Sequence, residues 1–346
     1  MNPSAESLSL FFRSMAVMFT AGISLDRALH LLADQSEDAK MAEVSRDLAQ
    51  RISQGIPLSK AFSTHQQAFS NIQVRLLTVG ERTGNVDAIL HRLALYEEKR
   101  RAVTMKIRGA LTYPAFLMAI ATFMLVVLPP YMFKGLFQMI ETTAVDPPLI
   151  TVLVVGFSKF VRTPWFWGMV LALVGMGVTV GPSLWRQPGF RLWLAERILA
   201  TPVLGRTYQN LGTARFARAM ELQLQVGEGP LAGFRLSAEA SDNPVLSRSI
   251  EGAIEALKGG EGFTDSLKAT GFFPNSFLQV MRAGEESADL PEMMGRMATM
   301  FEEELDHSID TFTALLEPLV MLVMGIIVGV VVIATMLPMM QLIQNL

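Results

Sequence analysis

Apolar residues recur at steps of three and four along most of the chain, which is the spacing of one face of an α-helix. Near the start the pattern comprises Leu8, Phe11, Phe12, Met15, Met18 and Phe19, and then Leu25, Leu29 and Leu32. Gly22 and Gly55 interrupt it, and no stretch alternates apolar and polar residues as a strand does. The pattern predicts an all-α protein. The two blocks that hold most of the charged residues, 1–108 and 186–314, are each predicted to form an antiparallel bundle of about six short helices.

Three apolar stretches are long enough for a helix to cross a membrane, which takes roughly 20 residues. They give an all-α membrane protein with two repeated cytoplasmic helical bundles and three transmembrane helices. The predicted layout, in chain order, is a first bundle over 1–108, a transmembrane helix over 109–133, a loop with a short interfacial helix over 134–164, a second transmembrane helix over 165–185, a second bundle over 186–314, a third transmembrane helix over 315–338 and a tail over 339–346.

Basic residues flank the first two predicted spans on one side. Lys99, Arg100, Arg101, Lys106 and Arg108 precede the first span, and Arg186, Arg191 and Arg197 follow the second. By the positive-inside rule both bundles are cytoplasmic, and the 134–164 loop and the C-terminal tail lie on the other side. The third crossing rests on the count of spans, because the sequence before it is acidic.

The composition narrows the functional classes. Only 18% of residues are charged, against about 25% in an average soluble domain, which favours a membrane protein. The chain has no cysteine, which excludes disulfide frameworks, zinc fingers and thiol catalysis. A net charge of -3 gives no support for nucleic-acid binding. Arg13 interrupts the first apolar stretch, so we do not interpret it as a signal peptide.

The two polar blocks resemble each other at a nearly constant offset. Phe69 aligns with Phe273, the pair Gly80-Glu81 with Gly284-Glu285, and Pro114 with Pro318, each 204 residues apart. Upstream, the segment 57–62 pairs with 262–267 at an offset of 205, which implies a one-residue insertion. The repeat indicates one helical module that occurs twice, each copy leading into a transmembrane helix.

The most specific local signal is a duplicated helix-to-helix corner. Its first copy reads Gly80-Glu81-Arg82-Thr83-Gly84-Asn85-Val86, and its second reads Gly284-Glu285-Glu286-Ser287-Ala288-Asp289-Leu290. Gly84 suits the left-handed conformation that ends a helix. The second copy has Ala288 at that position, so we expect its turn to be less sharp. Taken alone, such a corner is more often structural than functional.

The corner lies about thirty residues before a span with a proline in its first turn, Pro114 in one copy and Pro318 in the other. Together with three spans in this order, it resembles the inner-membrane platform protein family of type II secretion and type IV pilus assembly systems, from about residue 8 to residue 337. The resemblance implies a multi-pass protein of the bacterial inner membrane, with a cytoplasmic N-terminus and a periplasmic C-terminus. It implies no enzymatic activity and no cofactor.

The implied role is to couple a hexameric cytoplasmic assembly ATPase to polymerisation of pilins or pseudopilins. The implied partners are that ATPase, the pilins or pseudopilins, other inner-membrane assembly components and further copies of the chain, with no nucleic acid. Larger family members carry an extra cytoplasmic segment before the first bundle; its absence here favours a shorter member of the type IVb pilus kind. The sequence leaves open whether the machine is a pilus or a secretion system.

For the other candidate residues, a structural role is favoured over a functional one. Two pairs of small residues, Gly177 with Gly181 and Gly325 with Gly329, have the spacing that lets membrane helices pack closely. Glu317 is a carboxylate at the entrance of the third span, either paired there or interfacial. No phosphate-binding loop occurs, and the four histidines have no metal-ligand spacing, so no catalytic, cofactor or metal residue is assigned.

A glutamate recurs in both corners, although a corner requires only its glycines. Glu81 and Glu285 either lock each corner to its own bundle or contact the ATPase or a neighbouring copy, and we favour the second interpretation slightly. Two other functional classes fit the sequence less well. A membrane permease or transporter subunit is the alternative, but the spans have almost no polar residues for a solute path. A membrane-embedded hydrolase lacks a convergent catalytic constellation.

Overall fold

The computed structural model describes residues 3–132, 149–202 and 204–344, and these residues form helices joined by short turns, with no strand among them. In chain order the helices are α1 (Ala5–Thr20), α2 (Leu25–Gln35), α3 (Ala39–Ser53), α4 (Leu58–Ser63), α5 (Asn71–Thr83), α6 (Val86–Met132), α7 (Leu149–Arg162), α8 (Pro164–Arg186), α9 (Pro188–Leu199), α10 (Leu204–Gln225), α11 (Pro230–Ala240), α12 (Pro244–Lys258), α13 (Phe263–Lys268), α14 (Asn275–Glu286) and α15 (Leu290–Gln344). The all-α prediction is confirmed for this part of the chain.

Several helices begin where the sequence carries a capping residue. Ser4 accepts a hydrogen bond from the amide of Ser7 at the start of α1. The side chain of Asn243 accepts from the amides of Val245 and Leu246 at 3.0 and 3.2 Å, with Pro244 at the first helical position of α12. These contacts satisfy amide groups that have no partner inside the helix.

The chain divides into two compact units, and residues of both predicted bundles belong to the first, which comprises Met1–Lys106 and Leu192–Ser308. This unit has two apolar cores. Helices α1 to α5 and the start of α6, which we name the first module, surround the first core, which contains a cluster of four phenylalanines, Phe11, Phe12, Phe62 and Phe69. Helices α10 to α14 and the start of α15, which we name the second module, surround the second core, which is also rich in phenylalanine.

Helix α10 contributes to both cores of the first unit. Phe216 and Met220 are buried in the second core, whereas Ala219 and Leu222 are buried in the first. One helix can do this because residues on opposite sides of its axis meet different neighbours. The boundaries 1–108 and 186–314 of two separate bundles stay a prediction.

The second unit comprises Ile107–Arg191 and Ile309–Leu346 and contains the most apolar sequence. In it α7 and α8 meet through the rings of Phe160 and Phe166, whose centroids are 5.4 Å apart. The described part of the predicted interfacial helix is α7, while residues 133–148 of the predicted loop lie outside the described residues.

Two helices of the described residues are long and apolar enough to cross a membrane, over Val86–Met124 and Leu290–Ala334. They belong to α6 and α15, which have 47 and 55 residues. Each of these two helices runs unbroken from its corner into its apolar stretch. The predicted middle span lies on α8, whose apolar stretch, Pro164–Gly177, is shorter. The count of three spans stays a prediction.

Candidate functional site

The first corner joins α5 to α6 through Gly84, which adopts a left-handed conformation with φ of 70°. The amide of Asn85 donates to the carbonyl of Gly80 at 2.9 Å, which is the six-to-one bond of a Schellman motif. Gly80 is needed for a different reason. A Cβ atom at this buried position would lie 2.9 Å from Cγ1 of Ile89 on α6. Gly84 thus permits the turn, and Gly80 permits close contact between the two helices.

The second corner has the same geometry although it lacks the second glycine. Ala288 adopts φ of 57°, and the amide of Asp289 donates to the carbonyl of Gly284 at 2.9 Å. A Cβ atom on Gly284 would lie 2.8 Å from Cγ of Met293. The expectation of a less sharp turn is therefore wrong. The hydrogen bond and the packing of α14 on α15 offset the steric cost of a left-handed alanine, about 1–2 kcal/mol.

The carboxylate of Glu81 binds the N-terminus of α4 in its own module. Its two oxygens accept from the amide of Leu58, from the amide of Ser59 at 3.1 Å and from the hydroxyl of Ser59. These amides open a six-residue helix that follows Pro57, and they have no acceptor within that helix. Glu81 therefore performs from a distance what a capping side chain does locally.

Glu285 makes the equivalent contact in the second module. It accepts from the amide of Phe263 at 2.6 Å and from the amide of Thr264 at 3.0 Å, at the N-terminus of α13. Burial raises the pKa of Glu285, but the neighbouring Thr264 hydroxyl and the amide hydrogen bonds from Thr264 and Phe263 outweigh burial and lower the pKa overall. The ionised form is thus the one that the module stabilises.

These contacts are the ones expected if each glutamate locks its corner to its own bundle. Both side chains are half-buried and their oxygens are engaged by amide groups of their own module. The geometry favours the internal role over our slight preference for a charged contact with the ATPase or a neighbouring copy, because donors of the same module take two or three of the about four acceptor sites of each carboxylate.

A buried polar pair in the first module escaped the sequence analysis. The side-chain amide of Gln73 donates to Glu97 at 2.6 Å, and both residues are buried. Burial raises the pKa of Glu97, which the nearby Arg100 and the hydrogen bond from Gln73 only partly oppose. At the offset of 204 the second module has Phe277 and Phe301, whose rings lie 6.2 Å apart. A comparison of the two copies could have found this pair, since one copy is ionisable where the other is aromatic.

The second set of missed residues lies where α5 and α6 meet α10 and α11. Arg75 donates to both carboxylate oxygens of Glu228, at 2.8 and 3.2 Å, and the Asn71 amide donates to Glu239 at 2.9 Å. Tyr96 is buried beside Arg215, and burial raises the pKa of Tyr96 to about 12. The partners of these contacts are more than 100 residues apart, and no local pattern in the sequence reveals them.

The remaining predicted residues lie within long helices. Pro114 is in α6, and Glu317 and Pro318 are in α15, with Glu317 exposed. The four glycines of the small-residue pairs, Gly177 and Gly181 on α8 and Gly325 and Gly329 on α15, have open space where a Cβ atom would be added. The structure does not bring these residues to either corner. Their roles in helix packing or at a membrane entrance stay predictions.

In the described part of the chain, no group of three or more His, Asp or Glu side chains is placed so that it could hold a metal ion. The polar side chains that the two corners bring together hold helices in position. The fold and the corners thus define a class: a helical protein with two apolar cores, two corners of the same geometry and helices of membrane-spanning length.

Comparison with known proteins identifies the family. The family described as "Type II secretion system (T2SS), protein F" matches residues 11–132 and 216–338, which include both corners. The chain belongs to this family.

Among its relatives, the type IV pilus assembly protein PilC of Pseudomonas aeruginosa is 28% identical over 335 residues, covering 97% of this chain and 89% of the relative. Type II secretion system protein F of Xanthomonas campestris is 33% identical over 337 residues, covering 96% and 82%. Type II secretion system protein F of Pseudomonas aeruginosa is 28% identical over 342 residues, covering 99% and 84%. The relatives thus include components of both kinds of machine.

Proposed function

We propose that this chain is the inner-membrane platform protein of a type IV pilus or type II secretion machine. The observation that carries the proposal is the double family match, over 11–132 and 216–338, together with relatives from both systems. In this role the chain couples a cytoplasmic assembly ATPase to polymerisation of pilin or pseudopilin subunits. It acts through contacts with these partners, with other inner-membrane components and with further copies of itself, and it catalyses no reaction.

The proposal includes two copies of one helical module and three membrane crossings, with both modules cytoplasmic. Support for the duplication comes from the two corners, whose glycines, glutamates and left-handed residues have the same geometry. Support for the orientation comes from the basic residues before α6 enters its apolar part and after α8 ends.

Deletion of the gene tests the role. Loss of the gene abolishes surface filaments or secretion of the exported proteins, and the intact gene restores them, while pilin or pseudopilin levels in the membrane stay normal. Normal filaments and normal secretion in the deletion strain would refute the platform role.

The purified chain is also expected to hydrolyse no ATP, and turnover that persists after contaminating ATPases are removed would contradict the proposal.

Reporter fusions test the orientation separately. Fusions after residues 145 and 346 should report the periplasm, and a fusion after residue 240 should report the cytoplasm. A cytoplasmic signal after residue 346 would remove the third crossing.

A further inference from the structure

One face of α10 is covered by helices of the first module, whereas the corresponding face of α1 is exposed in the described part of the chain. Leu222 is only 6% exposed because it packs into the first core. At the offset of 205, Arg215, Ala219 and Leu222 of α10 and Val226 just after it correspond to four residues of α1 and its end. We name these four the α1 stripe: Leu10, Ser14, Val17 and Ala21. In this stripe Leu10 is 49% exposed and Val17 is 58% exposed.

The surface that covers α10 also has a counterpart. Helices α5 and α6 of the first module cover α10 and α11 of the second with Asn71, Arg75, Tyr96 and Arg100. At the offset of 204 these correspond to four residues of α14 and α15, which we name the α14–α15 face: Asn275, Gln279, Met300 and Glu304. Tyr96 is 7% exposed, whereas Met300 is 40% exposed. Among the described residues, each chain therefore has one surface of each kind in contact and one of each kind exposed.

We infer that the α14–α15 face of one copy covers the α1 stripe of a second copy, as the α5–α6 surface covers α10 within the chain. The inference rests on the duplication and the self-association included in the proposed function. Since the two surfaces differ, the contact is head-to-tail, and a chain of copies either closes into a ring or continues.

The transposed contacts are more apolar than those within the chain. Met300 would meet Leu10, where the chain places Tyr96 against Arg215, and the Asn275 amide would meet the carboxylate of Asp34, which replaces Glu239. These two contacts are chemically matched.

The ionic contacts within the chain are not reproduced between copies. Gln279 and Ile23 replace the ion pair of Arg75 with Glu228, so that pair has no counterpart between copies. Glu304 and Glu37 replace Arg100 and Asp242, which places two carboxylates near each other. Salt screens repulsion between exposed charges. Association between copies should therefore be weaker than the contact within the chain, and it should strengthen as salt rises from low to moderate concentration.

The absence of cysteine makes the contact testable in the full-length chain. Leu10→Cys and Met300→Cys are made as separate variants with different affinity tags, co-expressed, and treated in native membranes with a short bis-maleimide. We expect a mixed-tag dimer as the main product, at least about tenfold above the product of each variant alone. A double variant, Leu10→Cys with Met300→Cys, should give a ladder of larger products.

The matched control pairs Met300→Cys with Gln50→Cys. Gln50 is exposed on α3, and its counterpart at the offset of 205, Glu255, stays 70% exposed within the chain, so this position lies outside the inferred contact. This pair should give background cross-linking only. Adding Val17→Lys to Leu10→Cys should abolish the mixed-tag dimer, with an unchanged melting temperature because Val17 is exposed. If Leu10→Cys fails to accumulate, Val17→Cys serves in its place.

Three results would overturn the inference. Dimers of Leu10→Cys with itself would show a symmetric contact, and an equal yield from the Gln50→Cys control would show non-specific capture. The introduced thiol of Leu10→Cys could instead be protected from maleimide only when the cognate ATPase is present. That result would show that a different protein covers the α1 stripe. None of these results bears on the deletion test, so failure of this contact and failure of the platform role remain distinguishable.

Discussion

Replacement of Glu81 by glutamine tests whether the corner carboxylate acts within its own module. Three donors converge on its two oxygens, from Leu58 and Ser59. Glutamine offers one acceptor oxygen and turns an NH₂ group towards the remaining donors, so at least one half-buried amide loses its acceptor. A hydrogen bond to a charged group contributes about 1.5–3 kcal/mol. We therefore expect α4 to open about 2 kcal/mol more easily, which is about a 30-fold change in its opening equilibrium.

Amide hydrogen exchange of the full-length chain in a mild detergent measures this opening directly. In Glu81→Gln, exchange over 58–63 should accelerate about 30-fold, while exchange over 263–268 stays unchanged. Glu285→Gln should show the reverse, with acceleration confined to 263–268. Arg82→Gln is the matched control, since it changes the charge of the exposed neighbour and should alter neither segment.

Unaltered exchange over 58–63 in Glu81→Gln, combined with loss of filament assembly or secretion in cells, would refute the internal role. That result would restore the external contact as the reason for the recurring glutamate. Unaltered exchange with normal assembly would show that the carboxylate serves neither purpose.

Three further predictions follow from the described contacts. Because burial raises the pKa of Glu97, its contribution to stability is present below the unfolded pKa, about 4.3, and is lost as pH rises through the folded pKa. The melting temperature of Glu97→Gln should therefore fall less with rising pH than that of the wild type, and identical pH profiles would contradict the burial argument. Ala288→Gly should stabilise the protein by about 1 kcal/mol, seen as a higher melting temperature, since glycine adopts φ of 57° without strain. Gly80→Ala should lower the melting temperature by the equivalent of about 1–3 kcal/mol, because its Cβ atom would lie 2.9 Å from Ile89; an unchanged melting temperature would show that α5 and α6 can separate freely.

Local sequence signals predicted the helices and the position of both corners. The steps of three and four place Phe11, Phe12 and Met15 on one face, and these residues are buried in the first core. The glycine at the end of α5 marks a left-handed position, because few other residues adopt that conformation cheaply. The signal fails at Ala288, where tertiary packing imposes the conformation that the residue type disfavours.

Long-range contacts account for what the sequence did not reveal. The acceptor role of Glu81 depends on amides 22 and 23 residues earlier, which become neighbours only when the module folds. The ion pair of Arg75 with Glu228 joins surfaces of two modules, and exposed charges carry no local mark of their partners. The burial of Glu97 could have been predicted in part, because Glu97 shares the helical face of Leu90 and Leu93 and aligns with Phe301.

The shared helix α10 sets an order of events during synthesis. Leu222, with Ala219 one turn before it, completes a core whose other buried members end near Leu93 and Tyr96, roughly 130 residues earlier in the chain. At about 5–20 residues per second, the ribosome delivers Leu222 roughly 6–26 s after those residues. For that interval the first module has an apolar patch without its partner helix, while the apolar sequences of α6 and α8 are already emerging. The first module must therefore tolerate an unfinished surface until the second half of the chain arrives.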